Sequence, residues 1–410
     1  MYYKQLLSTL HTNNYSKSGF NANTSNVSYK WKGKRKDEEL NISNITQFNF
    51  PVANHSFTDY GTTFIDNDSK NIYEYNPFTE ITYARPILTE GMIETGIAYG
   101  FYEMKNSNTR LTENKAVNED YELSKSIKYW YGQFSNSLTK KILYQIGVRA
   151  EQISSSYRQI SNNIEMDSMF IYPSASLSYK KNDTLTVTLN YSKRVNYPDI
   201  QMMSPNLIQG DFSNWTKGNP NLYPEFVHSF ELTISHTYKN LTINNTIYLR
   251  HNTNTIQRKQ FVLTDTTEPI GSILREKFVT TVINGKDNDA WGVEHFHNYN
   301  ISRKLKYSFN GSLFVTDFSD TLISKYFTSP FISGMSKLNI TYNPIKNLES
   351  SVSLQYNSPS ISMKGGSGRS FSIGGSAGKI DQSYQTDISM KKIFLKGGNA
   401  SVSVRMSDVF

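Results

Sequence analysis

The sequence predicts an all-β protein, an antiparallel up-and-down transmembrane β-barrel to which this chain contributes about sixteen strands. Three observations predict this fold class. Apolar and polar residues alternate along many long stretches, and short polar turns and long loops join these stretches in regular succession. In addition, the mean hydropathy is only −0.53 although 13% of the residues are aromatic. Disordered chains are poor in aromatic residues, so the composition indicates folded strands with one apolar and one polar face.

The clearest alternation lies in residues 183–194, where Leu185, Val187 and Leu189 alternate with threonines. Because successive side chains of a strand point to opposite faces, this period of two gives one apolar and one polar face. Residues 226–238 resume the alternation after a long connection rich in Pro and aromatic residues. On the convex, lipid-facing side of the sheet we expect Leu185, Val187, Leu189, Leu305, Leu313 and Val315.

The same pattern predicts the other strands in chain order. They are 20–32, 39–50, 81–88, 92–102, 121–138, 142–152, 170–179, 241–250, 274–301 with a kink near 285–289, and 305–315, followed by hairpins around 343–347 and 396–399. The short turns should share one end of the sheet: 33–37, 139–141, 180–183, 239–240, 302–304 and 343–347. The long loops should share the other end: 51–80, 105–119, 195–225, 258–272 and 358–380, with a further loop near 154–166. Strands of this length favour a membrane barrel over a soluble sandwich, whose strands have about five or six residues.

Composition argues against several classes of protein. The sequence has no run of about 18 apolar residues, which argues against a transmembrane helix. The absence of cysteine excludes disulfides and thiolate metal sites. The net charge of +8 comes largely from short Lys and Arg clusters, whereas a nucleic-acid-binding protein would need a continuous basic face. We therefore expect no nucleic-acid partner.

No catalytic or cofactor site is recognisable in the sequence. No Ser/His/Asp triad or pair of carboxylates stands out, and the glycine-rich run at 365–368 lacks the Lys-Ser/Thr ending of a phosphate-binding loop. His295 and His297 share one face of a strand, but no third metal ligand can be identified. We therefore expect no enzymatic activity, no catalytic residue, no bound metal and no cofactor.

Two motifs frame the long connection in the middle of the chain. They read Tyr-Ser-Lys-Arg-Val-Asn-Tyr-Pro at 191–198 and Gly-Asn-Pro-Asn-Leu-Tyr-Pro-Glu at 218–225. Shorter motifs occur at 83–86, 94–96, 147–151, 172–179, 291–294 and 406–410. In this order, and over nearly the whole chain, they resemble the TonB-dependent receptor-like outer membrane protein beta-barrel family, specifically its C-terminal barrel portion.

The resemblance implies a place in the Gram-negative cell outer membrane, among outer-membrane lipid and lipopolysaccharide. Members of the family have a signal peptide, a plug domain and a barrel of about 22 strands. No segment of this sequence matches a signal peptide or a plug, and the motif at 406–410 usually precedes one further strand. We therefore expect residues 1–410 to be a single partial barrel domain, which contacts the TonB energy-transducing complex only through a plug that is missing here.

Two sets of residues are candidates for the functional site. The family-motif loop either contacts a ligand or is a structural re-entry into the next strand, and its candidates are Arg194, Asn196, Pro198, Gly218, Asn219, Pro220, Asn221, Pro224 and Glu225. The lumen-facing polar candidates are Arg149, Glu151, Glu231 and Glu294. These charges hold a plug, guide a solute, or satisfy one another across neighbouring strands. The aromatic run at 129–131 fits either an interfacial girdle or a platform for sugar stacking.

The function implied by the resemblance is the binding of a solute and its passage across the outer membrane, without covalent chemistry. Two other classes stay open. One is a plugless outer-membrane barrel that binds surfaces as an adhesin or serves a structural role. The other is a soluble carbohydrate-binding β-protein. The identity of the solute is not encoded in any motif of the sequence.

Overall fold

The computed structural model describes residues 13–17, 21–50, 53–59, 64–88, 90–112, 115–118, 120–159, 162–198, 200–204, 207–209, 214–264, 276–318, 329–362, 378–394 and 400–409. Nearly all of these residues lie in strands. The first half has β1 (Asn13–Lys17), β2 (Asn21–Lys32), β3 (Glu39–Phe50), β4 (Ala53–Asp59), β5 (Phe64–Ile87), β6 (Gly91–Thr112), β7 (Lys115–Asn118), β8 (Tyr121–Thr139), β9 (Ile142–Gln159), β10 (Asn162–Lys180), β11 (Leu185–Asn196), the short helix α1 (Ile200–Met203), β12 (Leu207–Gln209) and β13 (Asn214–Lys217).

The second half of the chain continues in the same way. Its strands are β14 (Glu225–Tyr238), β15 (Leu241–Thr253), β16 (Ile256–Thr264), β17 (Glu276–Asn284), β18 (Asn288–Asn300), β19 (Leu305–Phe318), β20 (Phe331–Tyr342), β21 (Leu348–Asn357), β22 (Ser360–Ser362), β23 (Gly378–Ile380), β24 (Ser383–Phe394) and β25 (Ala400–Met406). Within the described ranges, no helix has both the length and the apolar character needed to cross a bilayer.

One large antiparallel sheet forms the wall of the molecule. It contains 19 strands. However, β1 pairs with β4 and β2 pairs with β3, and β3 and β4 follow each other in the chain. In the same way, the successive strands β7 and β8 both pair with β6. Each of the pairs β1/β2, β3/β4 and β7/β8 is therefore one interrupted wall strand, which leaves 16 wall strands. Their order is β2–β3–β5–β6–β8–β9–β10–β11–β14–β15–β18–β19–β20–β21–β24–β25.

This order confirms the predicted up-and-down barrel and the predicted number of strands. Every wall strand pairs with its neighbour along the chain, so the short turns alternate with the long connections and lie at the opposite end of the wall. The turn before β11 and the loop after it, for example, are at opposite ends of that strand. In the described part of the chain β2 pairs with β3 alone and β25 with β24 alone. Whether the barrel is partial stays a prediction.

One face of the wall carries a continuous apolar band. The register places Leu189 beside Leu177 on one side and Leu232 on the other, and the row continues through Ile247, Val293 and Leu313. Leu189 and Leu313 remain 52% and 55% exposed although they lie inside long strands. The six residues expected to face lipid all lie on this face, which confirms the predicted alternation. Large apolar side chains exposed in a continuous row are typical of a surface that lipid covers.

Three predicted loops are wrong, because strands continue through them. Residues 51–80 belong mostly to β4 and β5, residues 105–119 to β6 and β7, and residues 154–166 to β9 and β10. β5 has 24 residues, which corresponds to about 80 Å of strand, far more than the roughly 30 Å hydrocarbon core requires. The far part of such a hairpin lies beyond the lipid, so neither face needs apolar residues. The alternation therefore fades there although the strand continues.

The predicted strand 274–301 is also two strands, separated at 285–287. Its first part, β17, leaves the wall and joins a small sheet of order β12–β13–β17–β16 at the loop end. In this sheet β13 and β17 run parallel, although they are more than sixty residues apart in the chain. A small core of Leu222, Ile256 and Val282 packs beneath it against Met202 and Met203. The predicted loops at 195–225 and 258–272 thus form one folded unit as far as they are described.

Candidate functional site

The polar face of the wall carries a cluster of tyrosines and charged residues across β5 to β10. In a barrel whose apolar band faces lipid, this opposite face lines the interior. We call this set the wall cluster, and its members are Glu80, Glu94, Tyr129, Tyr131, Arg149, Glu151, Tyr172 and Tyr197. Among the residues predicted from the sequence, Arg149 and Glu151 belong to it. The other members were missed as lumen residues.

Hydrogen bonds between strands fix the tyrosine rings of the wall cluster. The Tyr129 hydroxyl donates to Glu80 Oε1 at 2.7 Å, and the Tyr131 hydroxyl donates to Glu94 Oε1 at 2.9 Å. Gly96 lies directly opposite Tyr131 in the register, and a Cβ at Gly96 would collide with the Tyr131 ring. The glycine therefore lets the ring lie flat across the neighbouring strand. The glycine of the 94–96 motif therefore has a structural role.

Arg149 and Glu151 form an ion pair within β9 rather than between strands. The Arg149 guanidinium carbon also lies 3.9 Å from the centroid of the Tyr129 ring, a typical cation–π contact. Glu151 is 1% exposed, and its Oε1 has no hydrogen-bond partner among the described atoms. The alternative of charges that satisfy one another across neighbouring strands therefore does not describe this pair, because both partners lie on β9. A buried carboxylate oxygen without a donor is a place where a ligand can donate a hydrogen bond.

The wall cluster reaches the loop end through Tyr197, which follows β11. The hydroxyls of Tyr172 and Tyr197 are 2.9 Å apart, and the Lys125 ammonium lies 4.9 Å from the centroid of the Tyr197 ring. Burial comes first among the causes that raise the pKa of Tyr197 well above its usual value, followed by the hydrogen bond to Tyr172 and by the interaction of the Tyr197 hydroxyl with the Glu151 carboxylate. The hydroxyl is therefore a neutral donor at every physiological pH.

A shallow concave site of about 280 Å³ lies on the wall cluster. It is lined by the rings of Tyr129, Tyr131 and Tyr172, by Glu80 and Arg149, and by the polar side chains of Gln133 and Ser174. Aromatic rings beside carboxylate and amide groups can bind a polar solute by stacking and hydrogen bonding at once.

The aromatic run at 129–131 divides between the two faces of the wall. Trp130 lies on the apolar face, where its indole N–H donates to Thr95 Oγ1 at 3.1 Å. Tyr129 and Tyr131 point to the other face, into the wall cluster. The interpretation of the whole run as a lipid-facing girdle is therefore wrong for the two tyrosines. The period-two alternation of β8 contained this information, because neighbours of a lipid-facing residue must face the interior.

Gly218 and Asn219 of the family-motif loop contact the backbone around α1. A Cβ at Gly218 would lie 2.6 Å from the Met202 carbonyl oxygen, so only glycine fits there. The Asn219 backbone N–H donates to the same carbonyl at 2.7 Å. The Asn221 N–H donates to Asn219 Oδ1 at 3.0 Å, which closes an Asx turn. These contacts shape the loop itself.

The end of the motif loop is locked to the small sheet. Leu222 is fully buried and Pro224 nearly so. Glu225 is the first residue of β14, and its Oε2 accepts a hydrogen bond from the Ile256 N–H at 3.2 Å. The Asn284 side chain makes two hydrogen bonds to the backbone of Tyr223. Its Oδ1 accepts from the Tyr223 N–H and its Nδ2 donates to the Tyr223 carbonyl, each at 2.8 Å. These contacts favour the structural re-entry over the ligand-contact alternative, whose test needs a ligand.

The remaining predicted residues lie apart from the wall cluster. Arg194 and Asn196 are exposed at the end of β11, opposite Val227 and Glu225 in the register. Pro198 follows them and is buried, and Pro220 is half-buried within the motif loop. Glu231 and Glu294 lie on the polar face, as predicted, but further round the wall on β14 and β18. Glu231 accepts a hydrogen bond from the Ser229 hydroxyl at 2.9 Å.

His295 and His297 lie on the apolar face of β18, as their shared face with Val293 suggests. His295 Nε2 and His297 Nδ1 are 2.8 Å apart, and both rings pack against Phe309. Over the ranges that the structure covers, no three His, Cys, Asp or Glu side chains come together as metal ligands do. The pair belongs to an aromatic cluster of the lipid-facing surface.

Comparison with known proteins agrees with this architecture. Residues 19–410 match the model of the outer membrane protein beta-barrel family. Among solved structures, similar folds are the ferric yersiniabactin uptake receptor FyuA from Yersinia pestis (TM-score 0.63, 12% identity), the ferric citrate transporter FecA (0.63, 13%) and the copper transporter OprC (0.64, 9%). They match 95%, 93% and 91% of this chain, respectively. Among curated protein sequences no match was found.

The chain spans 56%, 55% and 57% of the lengths of these three proteins. At identities of 9–13% the likeness establishes the fold, while the family match rests on nearly the whole sequence. The lipid-facing band and the up-and-down wall agree with both. The chain therefore belongs to the outer membrane protein beta-barrel family, and its place is the outer membrane of Gram-negative bacteria.

Proposed function

We propose that the chain forms the barrel wall of a TonB-dependent receptor-like transporter, which binds a polar solute and passes it across the outer membrane. The observation that carries the proposal is the wall cluster. It places fixed tyrosine rings, an arginine and the buried Glu151 carboxylate on the face that lines the interior. A barrel that served only as a scaffold would not need a buried carboxylate, because burying a charged group costs free energy.

The whole protein would work by solute binding and gated release. The wall would hold the solute by weak, reversible contacts, and a plug domain linked to the TonB energy-transducing complex would open the path. The chain would contribute the wall, surrounded by outer-membrane lipid and lipopolysaccharide, and no covalent step. The named relatives FyuA, FecA and OprC take up or transport ferric yersiniabactin, ferric citrate and copper. Their names support transport as the function and leave the solute of this chain open.

The proposal is tested by uptake in cells that produce the whole protein in their outer membrane and lack other receptors of this class. Radiolabelled ferric chelates, oligosaccharides and oligopeptides are the probes. We expect one of these classes to accumulate, and deletion of the TonB complex to abolish accumulation. In the variant Tyr129→Phe together with Glu151→Gln the KM for uptake should rise at least about tenfold, the equivalent of about 1.4 kcal/mol.

The matched control is Tyr179→Phe, which removes a tyrosine hydroxyl from the apolar face and should leave the KM unchanged. Uptake that does not depend on the TonB complex would contradict the transporter assignment. Equal effects of the wall-cluster and control variants would show that the wall cluster is not the binding site.

A surface-binding function is the second candidate, and the long hairpin of β5 and β6 favours it. This hairpin extends far beyond the lipid, and its strands have 24 and 22 residues. An adhesin would lose attachment of cells when residues 60–71 and 106–117 are deleted, while uptake of every probe would stay at background. A transporter would retain uptake of its solute when at least one of these two segments is deleted.

A further inference from the structure

The turn end of the wall carries a dense set of exposed cations. We call the turns 33–38, 139–141, 180–184, 239–240, 301–304 and 343–347 the turn rim. Its exposed basic side chains are Lys34, Arg35, Lys36, Lys140, Lys141, Lys180, Lys181, Lys239, Arg303, Lys304 and Lys346. Each of these turns carries at least one of them. The described part of turn 88–90 carries Glu90 and no cation.

The acidic residues of the turn rim neutralise little of this charge. Asp183 pairs with Lys180 at 2.9 Å. Glu38 accepts a hydrogen bond from the Tyr83 hydroxyl at 2.9 Å and has Arg85 at 3.9 Å. The other acidic residue in these turns is Asp37. The turn rim is therefore positive in most of its turns.

An exposed apolar side chain stands beside the cation in five of these turns. Leu138 is 66% exposed and precedes Lys140, and Ile345 is 58% exposed and precedes Lys346. The same arrangement holds for Tyr179 with Lys180, Tyr238 with Lys239, and Ile301 with Arg303. A single exposed apolar residue needs no explanation, but its repetition beside a cation does. Apolar side chains beside cations are suited to the boundary between acyl chains and charged headgroups.

Three of these turns enclose a concave site of about 480 Å³. No acidic residue lines it, and its polar lining consists of Asn240, Asn300, Ser302, Arg303, Lys304, Lys306 and Asn343. The Lys304 ammonium donates to the Pro344 carbonyl at 3.2 Å, and the Ser302 hydroxyl accepts from the Lys304 N–H at 3.2 Å. Ile301 and Leu305 complete the lining on the apolar side. The site thus offers three cations, of which Lys304 is held by the Pro344 carbonyl, and amides next to apolar surface.

We propose that the turn rim binds the phosphodiester headgroups of anionic phospholipids in the leaflet that faces the turns, with its main site at the concavity of Arg303 and Lys304. The headgroup phosphate contacts the cations and amides, while Ile301 and Ile345 reach the acyl region. Charge complementarity selects an anionic lipid over a zwitterionic one. The exposed apolar side chains select a lipid over free phosphate in solution. The proposal concerns the lipid-facing rim and does not rest on the proposed transport function.

The test measures the lipids that remain with the protein after extraction from outer membranes into polymer nanodiscs. Mass spectrometry gives the ratio of phosphatidylglycerol plus cardiolipin to phosphatidylethanolamine, relative to the bulk membrane. We expect enrichment of the anionic lipids around the wild type. In the variant Lys239→Gln, Arg303→Gln, Lys304→Gln the enrichment should fall by about fivefold or more, since each cation near an anionic surface contributes up to about that factor.

The matched control removes three exposed cations at the loop end, in Lys217→Gln, Lys259→Gln, Lys286→Gln, and should retain the enrichment. Lys239→Arg with Lys304→Arg should retain it as well. The single variant Arg303→Gln, which disturbs the fold least, should show a smaller loss. An unchanged ratio in the triple rim variant, or an equal loss in the loop-end control, would overturn the proposal. So would saturable binding of inorganic phosphate at the rim without any lipid enrichment.

Discussion

Replacing Leu189 with arginine tests the assignment of the apolar band to lipid. Leu189 is the fifth residue of β11, about 13 Å along the strand from its turn end. With a strand tilt of about 40°, it stands roughly 10 Å above that end, close to the middle of an apolar band about 25 Å tall. An arginine on the lipid face costs about 2–4 kcal/mol at the bilayer midplane and less towards the interfaces. We therefore expect Leu189→Arg to lower the free energy of unfolding by about 2–3 kcal/mol.

The measurement is urea-induced unfolding of the protein from lipid vesicles, followed by tryptophan fluorescence. The control is Asn190→Arg, one residue further along β11 and on the polar face, opposite Glu231 in the register. Because water reaches that face and Glu231 offers a partner, the control should change the free energy by less than about 0.5 kcal/mol. Equal losses in the two variants, or tolerance of arginine at 189, would refute the assignment of this face to lipid.

Three further predictions concern the wall cluster, the motif loop and the turn rim. Gly96→Val should displace the Tyr131 ring and destabilise the barrel by about 1–3 kcal/mol, measured by the same urea titration. Glu225→Ala should leave the buried Ile256 N–H without its acceptor, at a cost of about 1–3 kcal/mol, and should increase proteolysis at 197–225. The Tyr83 hydroxyl, and next the Arg35 N–H, lower the pKa of Glu38 from its usual 4.5. Its stabilising contact is therefore present at neutral pH and lost as pH falls through the lowered value, so wild type and Glu38→Gln should differ in unfolding midpoint at pH 7 and converge in acid.

Each of these predictions has its own control. Ile97→Val changes the adjacent position on the apolar face and should hardly change the free energy of unfolding. If Gly96→Val also left it unchanged, the Tyr131 ring would have room to move and the prediction would be wrong. Glu225→Gln retains an acceptor oxygen and should resist protease better than Glu225→Ala. A pH-independent difference between Glu38→Gln and the wild type would contradict the role of the carboxylate charge.

The part of the fold that lies in lipid could be predicted from the sequence, because lipid imposes a period of two on every strand that crosses it. Leu185, Val187 and Leu189 are assigned to the correct face by that period alone. The parts of β5 and β6 that extend beyond the lipid could not be recognised as strands, since both of their faces meet water. The pairing of β13 with β17 was also invisible, because parallel contacts between distant segments leave no local pattern.

The candidate site was predictable in part. The alternation in β8 places Tyr129 and Tyr131 opposite Trp130, so their position in the interior follows from the sequence. Their partners do not, because the contact of Tyr129 with Glu80 crosses β6 and depends on the register of three strands. The same holds for Glu151, whose burial results from side chains that converge from neighbouring strands.

The parallel pairing of β13 with β17 has a mechanical consequence for the outer loops. It joins the connection that follows β11 to the connection that precedes β18, and the hydrogen bond between Glu225 and Ile256 links them a second time. The two connections are therefore joined outside the wall, so a displacement of one would act directly on the other. A force applied at residues 214–217 would therefore reach β18 through β17, in addition to the path along the chain through β14 and β15.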